Sequence, residues 1–313
     1  MCIRDRSLIR VFALGMSILV LMGFLSWFFT KDNKQELSLS DGFVITVLFW
    51  IVLSVSGSIP FILFGFGVVD SFFESMSGIT TTGATVIAGL DDLPKSLLIY
   101  RQLLQWLGGM GLIVLAIAVM PLLGIGGGQL FKTQTPGPMS EQRLTPRITS
   151  TARALWSIYF VLTVLCIFAY RLAGMSYFDA VSHAFSTVSI GGFSTHDLSI
   201  GFFDSLSIEI VCITFMLLSA MSFAVHYSAI YRKQVLKYFY DPELRFFVSL
   251  LIVILGLVCL SLFANDIDNP IRSGLFQTVS ILTTTGFLTD EYSSWPAYIL
   301  SLIHISEPTR RST

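Results

Sequence analysis

The chain has 313 residues, of which 54% are hydrophobic and only 12% charged, and its net charge is -1. Its mean hydropathy is +0.76. A soluble domain carries about 25% charged residues, so this composition excludes an ordinary soluble globular protein. Near-neutral charge gives no electrostatic footprint for nucleic acid. Cys2, Cys166, Cys212 and Cys259 lack metal-ligand spacing, and three of them lie inside apolar segments, where they read as small buried hydrophobes.

In chain order, six apolar runs are long enough to cross a bilayer as helices: Leu8 to Phe29, Gly42 to Phe64, Ser96 to Leu123, Ala154 to Leu172, Ser205 to Ile230 and Leu244 to Ala264. Trp295 to Leu302 is too short to span. Three segments of about a dozen residues stand between the long ones: Val68 to Ile79, Tyr177 to Val188 and Ile271 to Leu282. That length suits a re-entrant helix. The first apolar run is long enough to be a span, not a cleavable signal.

Each short segment runs into a hydroxyl–glycine phrase. The three phrases are Thr80-Thr81-Thr82-Gly83-Ala84-Thr85, Ser186-Thr187-Val188-Ser189-Ile190-Gly191-Gly192-Phe193 and Thr283-Thr284-Thr285-Gly286-Phe287. Aligned on Gly83, Gly191 and Gly286, they read as three copies of one site. Irregular backbone at membrane depth survives only where it is buried in protein or lines a cavity. Extended backbone presenting its carbonyls to an axis can replace the water around a dehydrated cation. The short helices would aim the negative ends of their dipoles at the same centre. No charged residue occurs in the phrases until His196-Asp197 and Asp290-Glu291, which favours weak, multi-site conduction over tight binding.

Charge sets the sidedness. One set of loops holds Lys31, Lys34, Lys132, Arg143, Arg147, Arg153, Arg232, Lys233, Lys237 and Arg245; the other holds Lys95, Arg101, Arg171 and Arg272. The first set is therefore cytoplasmic, and the short helices dip in from outside. The external loops carry Asp70, Glu74, Asp91, Asp92, Asp266, Asp268, Asp290 and Glu291, an acidic mouth that would concentrate cations.

Other features carry less. Gly124-Ile125-Gly126-Gly127-Gly128 lacks the Gly-Lys-Ser/Thr of a phosphate loop and reads as a helix end. Gly108-Gly109-Met110-Gly111 in mid-span suits close helix packing, with a gating hinge as the alternative. His183, His196, His226 and His304 have no zinc-site spacing, and no acid, base and nucleophile converge as an enzyme would need. Arg101, near the start of a long helix, is placed to hold acids at the mouth, with snorkelling as the alternative; Arg171 and Glu209, near the outer ends of spans, read as snorkelling groups.

Tyr100-Arg101-Gln102 through Gln105-Trp106-Leu107-Gly108-Gly109-Met110-Gly111, Thr135-Pro136-Gly137-Pro138 and Leu144-Thr145-Pro146-Arg147-Ile148 join the three phrases in a wider pattern. From about residue 8 to about 302 the chain resembles the Trk/Ktr/HKT superfamily of potassium transporters, most closely the bacterial Trk-type membrane subunit. The resemblance implies an all-α membrane fold of pseudo-symmetric helix–pore-loop–helix repeats around one ion pore, similar to a single-chain potassium channel. Three repeats of an expected four are visible. It implies filter residues Thr81, Thr82, Gly83 and Ala84, then Ser189, Ile190, Gly191 and Gly192, then Thr284, Thr285, Gly286 and Phe287. The resemblance also implies one aligned filter glycine, here Gly83, Gly191 and Gly286, where potassium channels keep two, so selectivity against sodium is expected to be looser.

The expected organisation follows from these readings. Residues 8–40 form a leading helix and linker, 41–124 the first repeat, 125–153 a cytoplasmic loop and 154–232 the second repeat. Residues 233–243 form a cytoplasmic loop and 244–302 an incomplete third repeat. Residues 1–7 and 303–313 resemble translated adapter sequence, so the chain reads as a fragment of a longer frame. The expected activity is potassium uptake across the bacterial inner membrane, channel-like or gated, with no cofactor beyond the transported ion. Potassium–proton or potassium–sodium symport is the alternative, and a non-conducting fragment the second. Expected partners are membrane lipid, a cytosolic nucleotide-binding regulatory subunit and a second copy.

Overall fold

The computed structural model describes residues 3–31, 39–122, 148–231, 233–265, 267, 269–290 and 295. Lys34, Gly124 to Arg147, Arg232, Asp266, Asp268, Glu291 and residues 303–313 lie outside the described residues, so the expectations placed on them are left there.

Among the described residues the regular structure is helical. The long helices are α1 (Ile3–Thr30), α2 (Leu39–Phe64), α4 (Lys95–Leu122), α5 (Ile148–Leu172) and α10 (Pro242–Ala264). The short ones are α3 (Val68–Ile79), α6 (Tyr177–Val188) and α11 (Pro270–Leu282). Between α6 and α10 lie α7 (Leu206–Ala220), α8 (Phe223–Tyr231) and the single turn α9 (Lys237–Tyr240).

Local chemistry explains several ends. Ser176 caps α6 by accepting the Asp179 amide, and its own hydroxyl donates to the Asp179 carboxylate at 2.6 Å. Asp241 caps α10 by accepting the Leu244 amide, and Pro242 occupies the first helical position, where its missing N–H costs nothing.

The expected span Ser205 to Ile230 is not one helix. It breaks at Met221-Ser222 into α7 and α8, which meet at 94°. The break frees the Leu218 carbonyl, and the His226 ring satisfies it at 2.9 Å while contacting the Tyr238 hydroxyl at 2.7 Å. An apolar run predicts burial in lipid; it does not record a backbone break that a side chain one turn away repairs. Helix starts also differ from the sequence reading: α1 reaches back to Ile3, and α5 begins at Ile148.

The packing order places the short helices. α3 lies between α2 and α4, α6 packs against α5, α4 and α7, and α11 packs against α10 and α7. Each of the two later short helices is thus held partly by a helix of the preceding repeat. The core is built around α6, whose Ala180, Ala184 and Val188 join Tyr170, Cys212, Met216, Phe276 and Phe287. α6 also buries Ser182, His183, Ser186 and Thr187 completely. Meanwhile α1 exposes Val20, Leu21, Phe24 and Trp27, and α10 exposes Ile252, Val253 and Leu260. Polar groups inside and apolar groups outside is the arrangement required by a hydrocarbon solvent.

Gly108 lets α4 pass the end of α3, since a Cβ there would collide with the Ile79 carbonyl. Close packing is therefore the role of this glycine.

Candidate functional site

The three short helices end in the same way. After α3, Thr81 N–H donates to Gly78 O at 3.0 Å and Thr82 N–H to Ser77 O at 2.9 Å. After α6 the bonds are Ile190 to Thr187 (3.1 Å) and Gly191 to Ser186 (2.8 Å); after α11 they are Thr284 to Ile281 and Thr285 to Ser280, both 2.8 Å. Each is the paired-bond helix end that normally places glycine in the left-handed region. Here the left-handed residues are Thr81 (φ 56°), Ile190 (φ 49°) and Thr284 (φ 60°). For β-branched residues this is a real outlier, costing about 1–3 kcal/mol each, and such strain gathers at functional sites. Two residues later Gly83, Gly192 and Gly286 repeat a second positive φ of 80°, 80° and 82°.

This geometry corrects the register of the second copy. Gly192, not Gly191, is the counterpart of Gly83 and Gly286. The equivalent four-residue strips are Thr81-Thr82-Gly83-Ala84, Ile190-Gly191-Gly192-Phe193 and Thr284-Thr285-Gly286-Phe287. Ser189 is the residue that closes α6, matching Thr80 and Thr283, and its hydroxyl donates to Ser186 O at 3.2 Å. Adjacent glycines made the register ambiguous in the sequence; backbone dihedrals resolve it.

The three strips meet. A Cβ on Gly83 would collide with the Gly191 carbonyl oxygen and stand 3.5 Å from the Thr285 oxygen; one on Gly192 would collide with the Thr285 oxygen. No side chain fits between these backbones. Beyond the strips, Gly201 N–H donates to Leu288 O at 3.0 Å, and Ser199 Oγ accepts Leu288 N–H at 3.2 Å.

One face of α4 fixes the second strip. Gln105 donates to Gly191 O at 2.6 Å and accepts Phe193 N–H at 3.1 Å. With its amide turned to suit its neighbours, Gln102 accepts Thr195 N–H at 3.2 Å and donates to Leu98 O at 3.0 Å. Arg101 donates to Ser194 O at 3.2 Å, and its guanidinium lies 4.4 Å from the centre of the Phe193 ring. All three side chains are fully buried.

Arg101 therefore holds an acid, as one of the two sequence readings had it, and does not snorkel. It pairs with Glu74 at 2.6 Å, and both side chains are completely enclosed. Glu74 also accepts from the Thr85 hydroxyl at 3.0 Å and Val86 N–H at 3.2 Å. It belongs to the interior, not to the acidic mouth, because Arg101 and two loop donors compensate its buried charge. Glu209 likewise pairs with Arg272 at 2.8 Å. Arg171 donates to Met175 O at 2.9 Å and covers the Tyr177 ring.

The outer rim joins two loops. His196 bonds Asp91 and stands 3.5 Å from Asp179, while its ring stacks on Phe202 at 3.5 Å. Gly89 N–H donates to Asp197 at 3.0 Å. Burial opposes charge on His196, but hydrogen bonding to Asp179 and Asp91 and their negative charge outweigh it and raise its pKa above the ordinary value. The His196 hydrogen bond, against a smaller opposing effect of burial, lowers that of Asp91.

The sequence reading did not single out Gln102, Gln105 or His183 as site residues, and it placed Glu74 in the outer mouth. The available signal was polar spacing at positions 101, 102 and 105 within an apolar span, since intramembrane polar residues mark function by default.

Comparison with known proteins identifies the lineage. Residues 8–306 match the family model TrkH, described as a cation transport protein. The chain is 48% identical over 303 residues to the Trk system potassium uptake protein TrkH of Halomonas elongata, covering 95% of this chain and 63% of that protein. It is 43% identical over 301 residues to the Escherichia coli K12 protein of the same name, covering 94% and 62%. The crystal structure of the potassium transporter TrkH from Vibrio parahaemolyticus superposes with a TM-score of 0.82 at 46% identity, covering 95% of this chain and 62% of that one. The chain thus spans a little over three fifths of the length of these relatives. By sequence and by fold alike, it belongs to the TrkH family of cation transport proteins.

Proposed function

We propose that this chain forms most of the pore of a potassium uptake protein in the bacterial inner membrane. The observation that carries the reading is the meeting of three backbone strips with one dihedral signature, each at the C-terminal end of a short buried helix. Within Thr81 to Ala84, Ile190 to Phe193 and Thr284 to Phe287, carbonyl oxygens other than those of Gly191 and Phe287, which Gln105 and Ser280 hold, supply ligands that replace the hydration of the ion. Helix dipoles add roughly half a negative charge from each short helix. The ion binds weakly enough to leave, since no ionised side chain enters the strips.

The potassium uptake names of the relatives support the choice of ion. A transporter reading also leaves no enzymatic step to assign. The relatives' "Trk system" names suit a multi-component assembly, and a cytosolic nucleotide-binding subunit and a second copy of the chain are the partners proposed for it.

The test uses the complete protein containing these residues, expressed in bacteria that lack their own potassium uptake. Gly83→Asp and Gly192→Asp place a carboxylate against neighbouring strip oxygens, and both abolish growth at micromolar potassium. Normal growth of either variant would overturn the pore assignment.

A further inference from the structure

The seventh residue before each left-handed position is Glu74, His183 and Gln277 in turn. These three occupy the same place in α3, α6 and α11, one turn before the serines Ser77, Ser186 and Ser280. All three are fully buried, though none is apolar. Each crosses behind its own strip to the chain that leaves it. Glu74 accepts from the Thr85 hydroxyl at 3.0 Å, His183 Nε2 contacts the Ser194 hydroxyl at 3.0 Å, and Gln277 donates to Asp290 O at 3.3 Å. Thr85 and Ser194 are themselves equivalent, each four residues past the left-handed position. In the third repeat that position is Leu288, which has no hydroxyl, and Gln277 reaches further to a backbone carbonyl instead.

Three different chemistries thus perform one geometric task. A bond from the short helix to the outgoing chain closes a loop around the strip and holds that chain back against its helix, which resists inward collapse. The His183 ring is fixed from behind by Asp179 O at 2.9 Å, and Glu74 by Arg101, so neither brace swings freely.

We infer that Glu74, His183 and Gln277 are equivalent positioning residues that hold the width of the pore strips and thereby set the preference for potassium over smaller cations. The inference rests on the conduction reading above and adds a determinant outside the strips. Size discrimination needs strips that do not collapse onto a smaller ion, and these bonds oppose collapse in all three repeats, beside the hold of α4 on the second strip.

The test measures potassium and sodium permeability in the complete protein reconstituted into vesicles, with the inserted protein quantified. His183→Leu removes the polar contact at similar volume; His183→Gln gives the second repeat the side chain of the third. The leucine variant lowers the potassium-to-sodium ratio by about fivefold or more, the equivalent of one ordinary net hydrogen bond, and the glutamine variant restores it. Ser194→Ala removes the other end of the same bond and shifts the ratio in the same direction. An unchanged ratio in both His183→Leu and Ser194→Ala overturns the inference; if His183→Leu does not accumulate, Ser194→Ala decides alone. Absence of potassium flux through the unmodified protein would instead overturn the conduction reading itself.

Discussion

His196 is the titratable centre of the outer rim. Asp91 comes to it from the turn after the first strip, Asp179 and the His183 ring from α6, and Asp197 is its neighbour in the chain. A histidine pKa raised by folding contributes stability that is complete below its unfolded value of about 6.5 and disappears as pH rises through the higher folded value. The lowered Asp91 pKa preserves the carboxylate side of the pair until pH falls through that depressed value. The link between the first two loops is therefore strongest in mildly acidic to neutral solution and weakens with alkalinity. Thermal unfolding in detergent should show a fall in stability on the alkaline side that His196→Gln removes; an identical slope in the variant would exclude His196 as its source. At this scale the sequence showed the histidine and the acids but not their contact, because Asp91 and His196 are separated by 105 residues.

At the scale of elements, the buried pair of Arg101 in α4 and Glu74 in α3 ties a long helix to a short one and to two loops. Removing one partner leaves a charge without compensation, so Glu74→Gln or Arg101→Met should each cost about 3–5 kcal/mol. The double variant should cost much less than their total, as coupled neighbours do. Strict additivity in thermal unfolding would show that the pair is not a unit. The boundaries of α3 and α6 were legible in the sequence because both are segments of about a dozen residues ended by hydroxyl–glycine phrases. The bend between α7 and α8 was not, because Leu206 to Tyr231 is apolar almost throughout. The pairing of Gln105 with Gly191 was likewise hidden, since it joins α4 of the first repeat to the strip of the second.

At the scale of the whole molecule, sidedness is testable. Leu198 lies beside the outer rim and Val235 in the chain between α8 and α10, and both are well exposed. In a background without native cysteines, Leu198→Cys should react with a membrane-impermeant thiol reagent on intact cells. Val235→Cys should react only after permeabilisation. The reverse pattern would invert the topology. The sequence by itself determined the membrane as solvent, the repeated long helix–short helix–loop order and the residue types of the strips, since hydropathy, segment length and local composition are properties of contiguous chain. Only the tertiary structure decided the register of Gly192, the burial of Glu74 with Arg101, and the equivalence of Glu74, His183 and Gln277. Those depend on backbone dihedrals and on contacts between distant segments, which no local pattern encodes.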